Sequence, residues 1–331
     1  MINVKELKVS RVNLIADIGG TNIRIAQTNE ENKITNIETF QCAKFSSLQE
    51  VLAQYISEKM LTATEIHACL AIACPTDHDL ISMTNLPWQF SQKELQEKLN
   101  FKSLTFINDY TAIAMAIPLL NDEQKIKIGG GEAIDNKPIS VCGPGTGLGV
   151  ATLVPLDNKW YCISGEGGHM DYAPVDSTEV RILQYLQAIK GRVSYEQLLS
   201  GYGLEQIHQA ITANQSPGSV SKDTKPLTAA EISEKALSNE CTICFQALAL
   251  FCNVLGSFAG NLALLSNSTG GVYIAGGIVP RFIKFFKVSG FRELFEAKGR
   301  LSHILKHTPT YIITEMQPGL LGASAYLNQT A

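Results

Sequence analysis

Leu14-Ile15-Ala16-Asp17-Ile18-Gly19-Gly20-Thr21-Asn22-Ile23-Arg24-Ile25-Ala26 is the stretch on which the fold turns. A short apolar run, Leu14 to Asp17, ends on an acid. Gly19-Gly20 follows, and Ile23, Ile25 and Ala26 resume with partial alternation. That order predicts strand, tight turn, strand. A turn of this kind aims several backbone N–H groups at one point, and glycine lets an anion come close. Thr21 and Asn22 add side-chain donors, and an aspartate at a strand end can hold magnesium through water. Gly-Gly also serves ordinary hairpins, so the turn alone leaves both readings open.

Outward from this stretch the same grammar recurs. Ile139 to Cys142 is predicted as a strand, Gly143-Pro144-Gly145-Thr146-Gly147-Leu148-Gly149 as a glycine-rich turn, and Val150 to Val154 as a returning strand. Four glycines in seven residues are costly in backbone entropy. No Lys-Ser/Thr follows, as a phosphate loop of the GxxxxGK type would require, and no helix opens there, as a dinucleotide fingerprint would require. Thr146 is the one hydroxyl placed to touch a phosphate; a merely flexible loop is the other reading.

Helices are predicted from Ser46 to Lys59 and from Ser91 to Leu99, each with a Ser cap and a Glu near N3. Ala68 to Cys74, ended by Pro75, reads as a central buried strand. Leu104 to Ile107 is a strand that delivers Asn108-Asp109, and Thr111 to Leu120 is helix-compatible, with Pro118 marking a domain crossing. Further helices are expected at Thr178–Ile189, Tyr195–Leu199 and Leu204–Ala213, with one or two long ones across Ala229–Leu265. Gln215 to Pro226 reads as a surface loop, and Gly271–Ala275 and Tyr311–Thr314 as late strands. The chain thus reads as two α/β halves of matching pattern.

Its 331 residues suit two domains, and 45% apolar with 18% charged residues suits a globular chain. A net charge of −4 without a basic run argues against nucleic acid or an anionic membrane as partner. The first thirteen residues lack the apolar core of an export signal, so a cytoplasmic location is expected. Cys244 to Leu265 is the most apolar stretch, but Gln246, Asn253, Ser257 and Asn261 interrupt it, and it reads as a buried helix. The eight cysteines read as free thiols, mostly packed as small hydrophobes. Cys241 and Cys244 form a Cys-x-x-Cys. It would be half of a zinc or redox site, yet the sequence offers no second pair and no nearby histidine. Two thiols one turn apart on a buried helix is therefore the favoured reading.

Three other segments carry chemistry. Asn108-Asp109 ends a strand, where a carboxylate can take a hydroxyl proton; a turn or helix cap uses the same residues. In Gly165-Glu166-Gly167-Gly168-His169, carboxylate and imidazole match the mixed donors and acceptors of sugar hydroxyls; a surface loop is the alternative. Gly276-Gly277, echoed by Gly319-Leu320-Leu321-Gly322, would admit an adenine ring beside the backbone, or serve close packing.

Taken in order, Asp17 to Asn22, Ile107-Asn108-Asp109, Gly143 to Gly149, Gly165 to His169 and Ile274-Ala275-Gly276-Gly277-Ile278 make the chain resemble the bacterial ATP-dependent glucokinases of the hexokinase–actin-like superfamily. The resemblance spans about Leu14 to Leu327. It implies a two-lobed, actin-like ATPase (ribonuclease H-like) α/β fold, each lobe a mixed sheet flanked by helices, with the ligand cleft between lobes. The small domain would be 1–118 plus about 315–331, and the large one 119–314. It implies transfer of phosphoryl from ATP, with Mg2+, to the 6-hydroxyl of glucose, the first step of glycolysis, in a homodimer. Asp109 would be the base. Asn108, Glu166, His169, Glu196, Thr84 and Asn85 would hold the sugar. Asp17, Gly19, Gly20, Thr21 and Asn22 would form the first phosphate turn, with Asp17 toward the metal, and Gly145, Thr146 and Gly147 the second. Gly276 and Gly277 would face adenosine. Tyr110 stands where many relatives carry phenylalanine.

The broader sugar kinase–repressor family, including N-acetylhexosamine kinases, shares both turns. Its members usually place zinc-binding cysteines directly after the Glu-x-Gly-His segment, whereas here the next cysteine after His169 is Cys241. A non-catalytic sugar sensor would not need Asp109 and Asp17 together. A structural protein of the actin type would not need the 165–169 loop.

Overall fold

The protein is described by a computed structural model that covers residues 11–29, 33–61, 64–83, 86–215 and 226–330. It divides into two compact units. Unit 1 runs to Leu120 and resumes at Glu315; unit 2 is Asn121–Thr314.

In unit 1, β1 (Arg11–Ile18) and β2 (Asn22–Thr28) form an antiparallel hairpin with Asp17 opposite Arg24. β3 (Ile34–Gln41) adds to β2, again antiparallel. α1 (Leu48–Glu58) starts at Ser47, whose hydroxyl accepts from the Glu50 N–H at 3.2 Å, while the Glu50 carboxylate takes the Ser46 N–H at 2.8 Å. The first bond satisfies one of the donors that a helix start leaves orphaned, and the second ties down the residue before the cap. β4 (Glu65–Ile72) lies parallel to β1. A small hairpin, β5 (Leu80–Ser82) with β6 (Gln89–Ser91), leads into α2 (Gln92–Lys98), capped by Ser91. β7 (Ser103–Asn108) pairs parallel with β4 and turns directly into α3 (Asp109–Ala116).

The sheet order is β3-β2-β1-β4-β7. Alternation along β1 fills both faces, as a period of two requires. Leu14, Ala16 and Ile18 pack with Leu48, Val51, Leu52 and Tyr55 of α1, whereas Ile15 joins Ala112 of α3 on the other side. Each fully buried Leu or Ile here contributes roughly 1.5–3 kcal/mol.

Unit 2 contains β8 (Lys125–Gly129), β9 (Ile139–Pro144), β10 (Leu148–Leu156) and β11 (Lys159–Gly165), then α4 (Ser177–Lys190), α5 (Gly201–Gln215), α6 (Ala229–Leu237) and α7 (Thr242–Ser266). It ends with β12 (Val272–Ile274), α8 (Ile283–Val288), α9 (Phe291–Glu296), α10 (Ser302–His307) and β13 (Thr310–Ile313). The last helix, α11 (Pro318–Thr330), belongs to unit 1, where Leu320, Ala323 and Leu327 pack with Ile15 and Ala112. The sheet of unit 2 is ordered β11-β10-β9-β12-β13-β8. β11, β10 and β9 are antiparallel neighbours, and β9, β12 and β13 are parallel. That repeats the unit 1 sheet strand for strand, with β8 added antiparallel at the edge. Both units are mixed α/β sheets flanked by helices, with each glycine turn joining the same two strands of its sheet.

Some elements differ from the sequence reading. The ladder of β9 and β10 takes in Gly143, Pro144, Leu148 and Gly149, so the second turn shrinks to Gly145–Gly147. Tyr195–Leu199 is a 3-10 turn over Tyr195–Gln197 rather than a helix. The expected loop Gln215–Pro226 falls almost wholly outside the described residues. α7 is long and apolar enough to cross a membrane, but most of it is buried in the core of unit 2, to which its own Phe251, Leu255 and Phe258 contribute.

Candidate active site

The first turn is closed by backbone bonds. Gly19 N–H donates to the Asn22 carbonyl at 3.1 Å, and Cys42 N–H to the Thr21 carbonyl at 2.9 Å. Thr21 is exposed at its tip. Asp17 sits at the base of the turn with its side chain 27% exposed. Its carboxylate lies against the first turn of α11: a Cβ on Gly319 would fall 2.8 Å from Asp17 Cγ. Burial raises the Asp17 pKa above the ordinary carboxylate range, and Arg24, at 3.7 Å, offsets this only in part. A folded pKa above the unfolded one means that the native state holds the proton more tightly. Asp17 therefore subtracts stability at neutral pH, and the deficit shrinks as pH falls through the raised value. Asp17→Asn is expected to raise the thermal midpoint at pH 7 while lowering activity, the stability gain fading in acid. Circular-dichroism melts across that pH range check this, and a lowered midpoint at pH 7 would contradict it.

Asn108 and Asp109 mark where β7 becomes α3. Asn108 is the N-cap: its Oδ1 accepts the Tyr110 N–H at 2.9 Å. The cap uses one lone pair of that oxygen, and the second lone pair and the amide donors remain for a ligand. Asp109 is the first residue of α3, half-buried at the carboxyl end of the parallel strand, with Oδ1 3.0 Å from the same N–H. Its charge is felt at Cys74, just past β4, whose thiol is pushed up by burial and then by that carboxylate.

In unit 2 the second turn is held from two sides. Gly145 N–H donates to the Gly147 carbonyl at 2.8 Å, and Gly201 N–H, at the head of α5, donates to the Gly145 carbonyl at 3.0 Å. Thr146 stands exposed at the tip. Glu196 packs directly on this turn. Its Oε2 accepts the Leu148 N–H at 2.9 Å and would sit 2.6 Å from a Cβ on Gly147. Its Oε1 lies 3.9 Å from His169 Nε2. Tyr195 anchors the segment, wedged between Tyr172 and Phe258 with centroids 5.6 and 4.7 Å away. Glu166 and His169 are exposed on the short turn after β11. Arg192 ties that turn down, donating to the His169 carbonyl at 2.6 Å and to Asp171 at 2.6 Å. The structure therefore brings Glu196, His169 and the Gly145–Gly147 turn together, with Glu166 on the adjoining loop.

The glycines near the ends divide in role. Gly276 has φ +83 and lies on the second turn: a Cβ there would meet the Pro144 carbonyl oxygen at 2.5 Å. Gly277 faces open space. Gly319 and Gly322, for which the sequence left adenine contact and close packing both open, allow close packing within unit 1. Gly319 makes room for Asp17, and a Cβ on Gly322 would fall 1.6 Å from the Ala112 carbonyl oxygen. Thr84 and Asn85 lie outside the described residues. Arg192 was not among the residues the sequence singled out, because nothing local links it to the loop it ties.

The sequence model of the glucokinase family matches residues 14–330. A glucokinase of Colwellia psychrerythraea is 61% identical over 96% of this chain and 96% of its own length, and one of Psychromonas ingrahamii is 47% identical over 97% and 98%. Among solved structures, the glucokinase from an Antarctic psychrotroph superposes with a TM-score of 0.86 at 37% identity, covering 96% of this chain and 99% of that one. A glucokinase of the ROK family from Streptomyces griseus, solved with glucose and AMPPNP, shares the fold with a TM-score of 0.61 at 17% identity, covering 96% and 99%. On its motifs, its duplicated mixed sheet and these matches, the chain belongs to the glucokinase family.

Proposed function

We propose that the chain transfers the γ-phosphoryl group of ATP to the 6-hydroxyl of D-glucose, giving ADP and glucose 6-phosphate, in the cytoplasm and as a homodimer. Family membership makes it a hexose kinase; the observation that carries the residue assignment is Asp109, held at the carboxyl end of a parallel strand and at the head of a helix. Phosphoryl transfer asks for positioning and charge neutralisation more than covalent chemistry. Asp109 accepts the 6-hydroxyl proton as that oxygen attacks the γ-phosphorus in line, and the bond from phosphorus to the ADP oxygen breaks. Backbone N–H groups of the two turns, other than those of Gly19 and Gly145 that close them, bind phosphate oxygens together with the Thr21 and Thr146 hydroxyls. Gly276 and Gly277 flank the nucleoside. Glu166, His169, Glu196 and the Asn108 amide hold the remaining sugar hydroxyls, with Thr84 and Asn85 completing the set.

Asp17 suits Mg2+: it is a hard oxygen donor whose desolvated charge Arg24 compensates only weakly, and magnesium keeps most of its own waters. Bound there with the nucleotide, the ion would neutralise phosphate charge. The chain's own share is to hold the Asp17 side chain at the base of the first turn, with Arg24 at 3.7 Å as its cationic neighbour.

Glu166→Gln is expected to raise the KM for glucose on the order of tenfold with a smaller change in kcat, since a mismatched polar partner weakens ground-state and transition-state binding alike. Steady-state kinetics read this, and an unaltered KM would remove Glu166 from sugar contact. The function as a whole is tested by a coupled assay that crosses glucose, mannose, fructose and glucosamine with ATP, ADP and polyphosphate. Glucose with ATP should give the highest kcat/KM; a higher value for another pair would overturn the assignment of substrate or donor.

A further inference from the structure

Away from the candidate active site, unit 2 gathers three metal-ligating side chains that the kinase reaction does not use. His208 lies on α5, Cys241 caps α7, and Cys244 lies one turn into α7. One ligand atom of each comes within 4.8 Å of the other two. The sequence reading found no histidine for the Cys-x-x-Cys because His208 lies 33 positions before Cys241 and reaches it only through the packing of α5 on α7.

The geometry suits a cation better than a simple thiol pair. A tetrahedral zinc holds sulfur at about 2.3 Å and imidazole nitrogen at about 2.0–2.1 Å, so its ligand atoms stand roughly 3.5–3.8 Å apart. The three ligand atoms, all within 4.8 Å of one another, stand close to that spacing. The Cys241 sulfur already accepts the Cys244 N–H at 3.2 Å, an interaction that favours a thiolate at the start of a helix. Cys241 and His208 are half-exposed, which gives an ion access, while Cys244 is buried and anchors the cluster. A redox disulfide would need the two cysteines alone; the third donor, a nitrogen arriving from a different helix, points to metal. His169 and the loop that carries it are no part of this cluster.

We propose that His208, Cys241 and Cys244 bind one thiophilic divalent cation, zinc by the chemistry of the donors, with water as the fourth ligand. Bound there, zinc clips the middle of α5 to the start of α7. The head of the same α5 holds the second glycine turn through the Gly201–Gly145 bond. The proposal stands independently of the kinase assignment.

The test uses the full chain, reduced, stripped with a chelator and titrated anaerobically with Co2+ alone. One equivalent should give the intense visible bands of tetrahedral cobalt with a sulfur-to-cobalt charge-transfer band, and Zn2+ should displace it. Zn2+ at a hundredfold excess over its Kd should shift the unfolding equilibrium about a hundredfold toward the folded chain. Cys241→Ser keeps a good helix cap, and His208→Gln keeps a polar side chain. Each should weaken cobalt binding at least about tenfold while leaving the parent's circular-dichroism spectrum. The proposal is overturned if no stoichiometric bands appear, if the bands survive unchanged in Cys241→Ser, or if the chain forms only a Cys241–Cys244 disulfide and takes up no cation.

Discussion

Asp109→Ala is expected to lower kcat by ~10²–10⁴, the usual range for losing a general base, with the fold intact. The fold should survive because the cap of α3 is Asn108, whose Oδ1 takes the Tyr110 N–H whether or not Asp109 is present. Asp109 is also half-buried rather than a core residue, so its truncation opens no large apolar cavity. Loss of kcat together with kcat/KM, at little change in glucose affinity, would mark an interaction made in the transition state. Steady-state kinetics with a parallel melt separate the two effects. Near-normal turnover in the variant would remove Asp109 from catalysis.

Gly322→Ala should carry the larger structural effect. In an isolated helix this change stabilises by roughly 0.5–1 kcal/mol, because alanine loses less backbone entropy. In α11 the new methyl would fall 1.6 Å from the Ala112 carbonyl oxygen and 2.4 Å from its carbon, both backbone atoms of α3. Neither can rotate away, so the two helices must separate, and overpacking of that kind costs roughly 1–3 kcal/mol. The net result is a lower urea midpoint at an unchanged m-value. Asp109 heads the same α3, so activity should fall as well, by less than in Asp109→Ala. A raised midpoint would show that propensity rather than contact governs position 322.

What could be read from the sequence follows from where each strand lies. β1, β4 and β9 are interior strands and carry continuous buried runs, such as Ala68 to Ile72. Three unforeseen strands, β3, β8 and β11, stand at sheet edges. One face of an edge strand meets solvent, so residues such as Asn36, Glu38 and Lys127 interrupt the apolar signal. Helix starts were legible because Ser47 and Ser91 act within three residues of themselves.

The site divides in the same way. Both glycine turns were visible because glycine spacing is a local signal. The Glu196 contact with the Gly147 turn joins residues 49 apart in number, and no spacing pointed to it; the resemblance named Glu196 only as a residue that would hold the sugar. Gly319 and Gly322 stayed open between two readings because a glycine that serves packing looks like one that serves a ligand until its neighbour is known. His208 escaped notice for a related reason: a ligand supplied by another helix leaves no mark beside the cysteines it joins.

The central claim is a regiospecific phosphoryl transfer, and the most direct measurement is the product itself. Phosphorus and carbon NMR of the chain incubated with MgATP and either glucose or 6-deoxyglucose reads where the phosphoryl group goes. Glucose should yield glucose 6-phosphate and one ADP per sugar, and 6-deoxyglucose should yield no sugar phosphate. Phosphate on any other carbon, or ATP consumed with no phosphorylated glucose, would contradict the account.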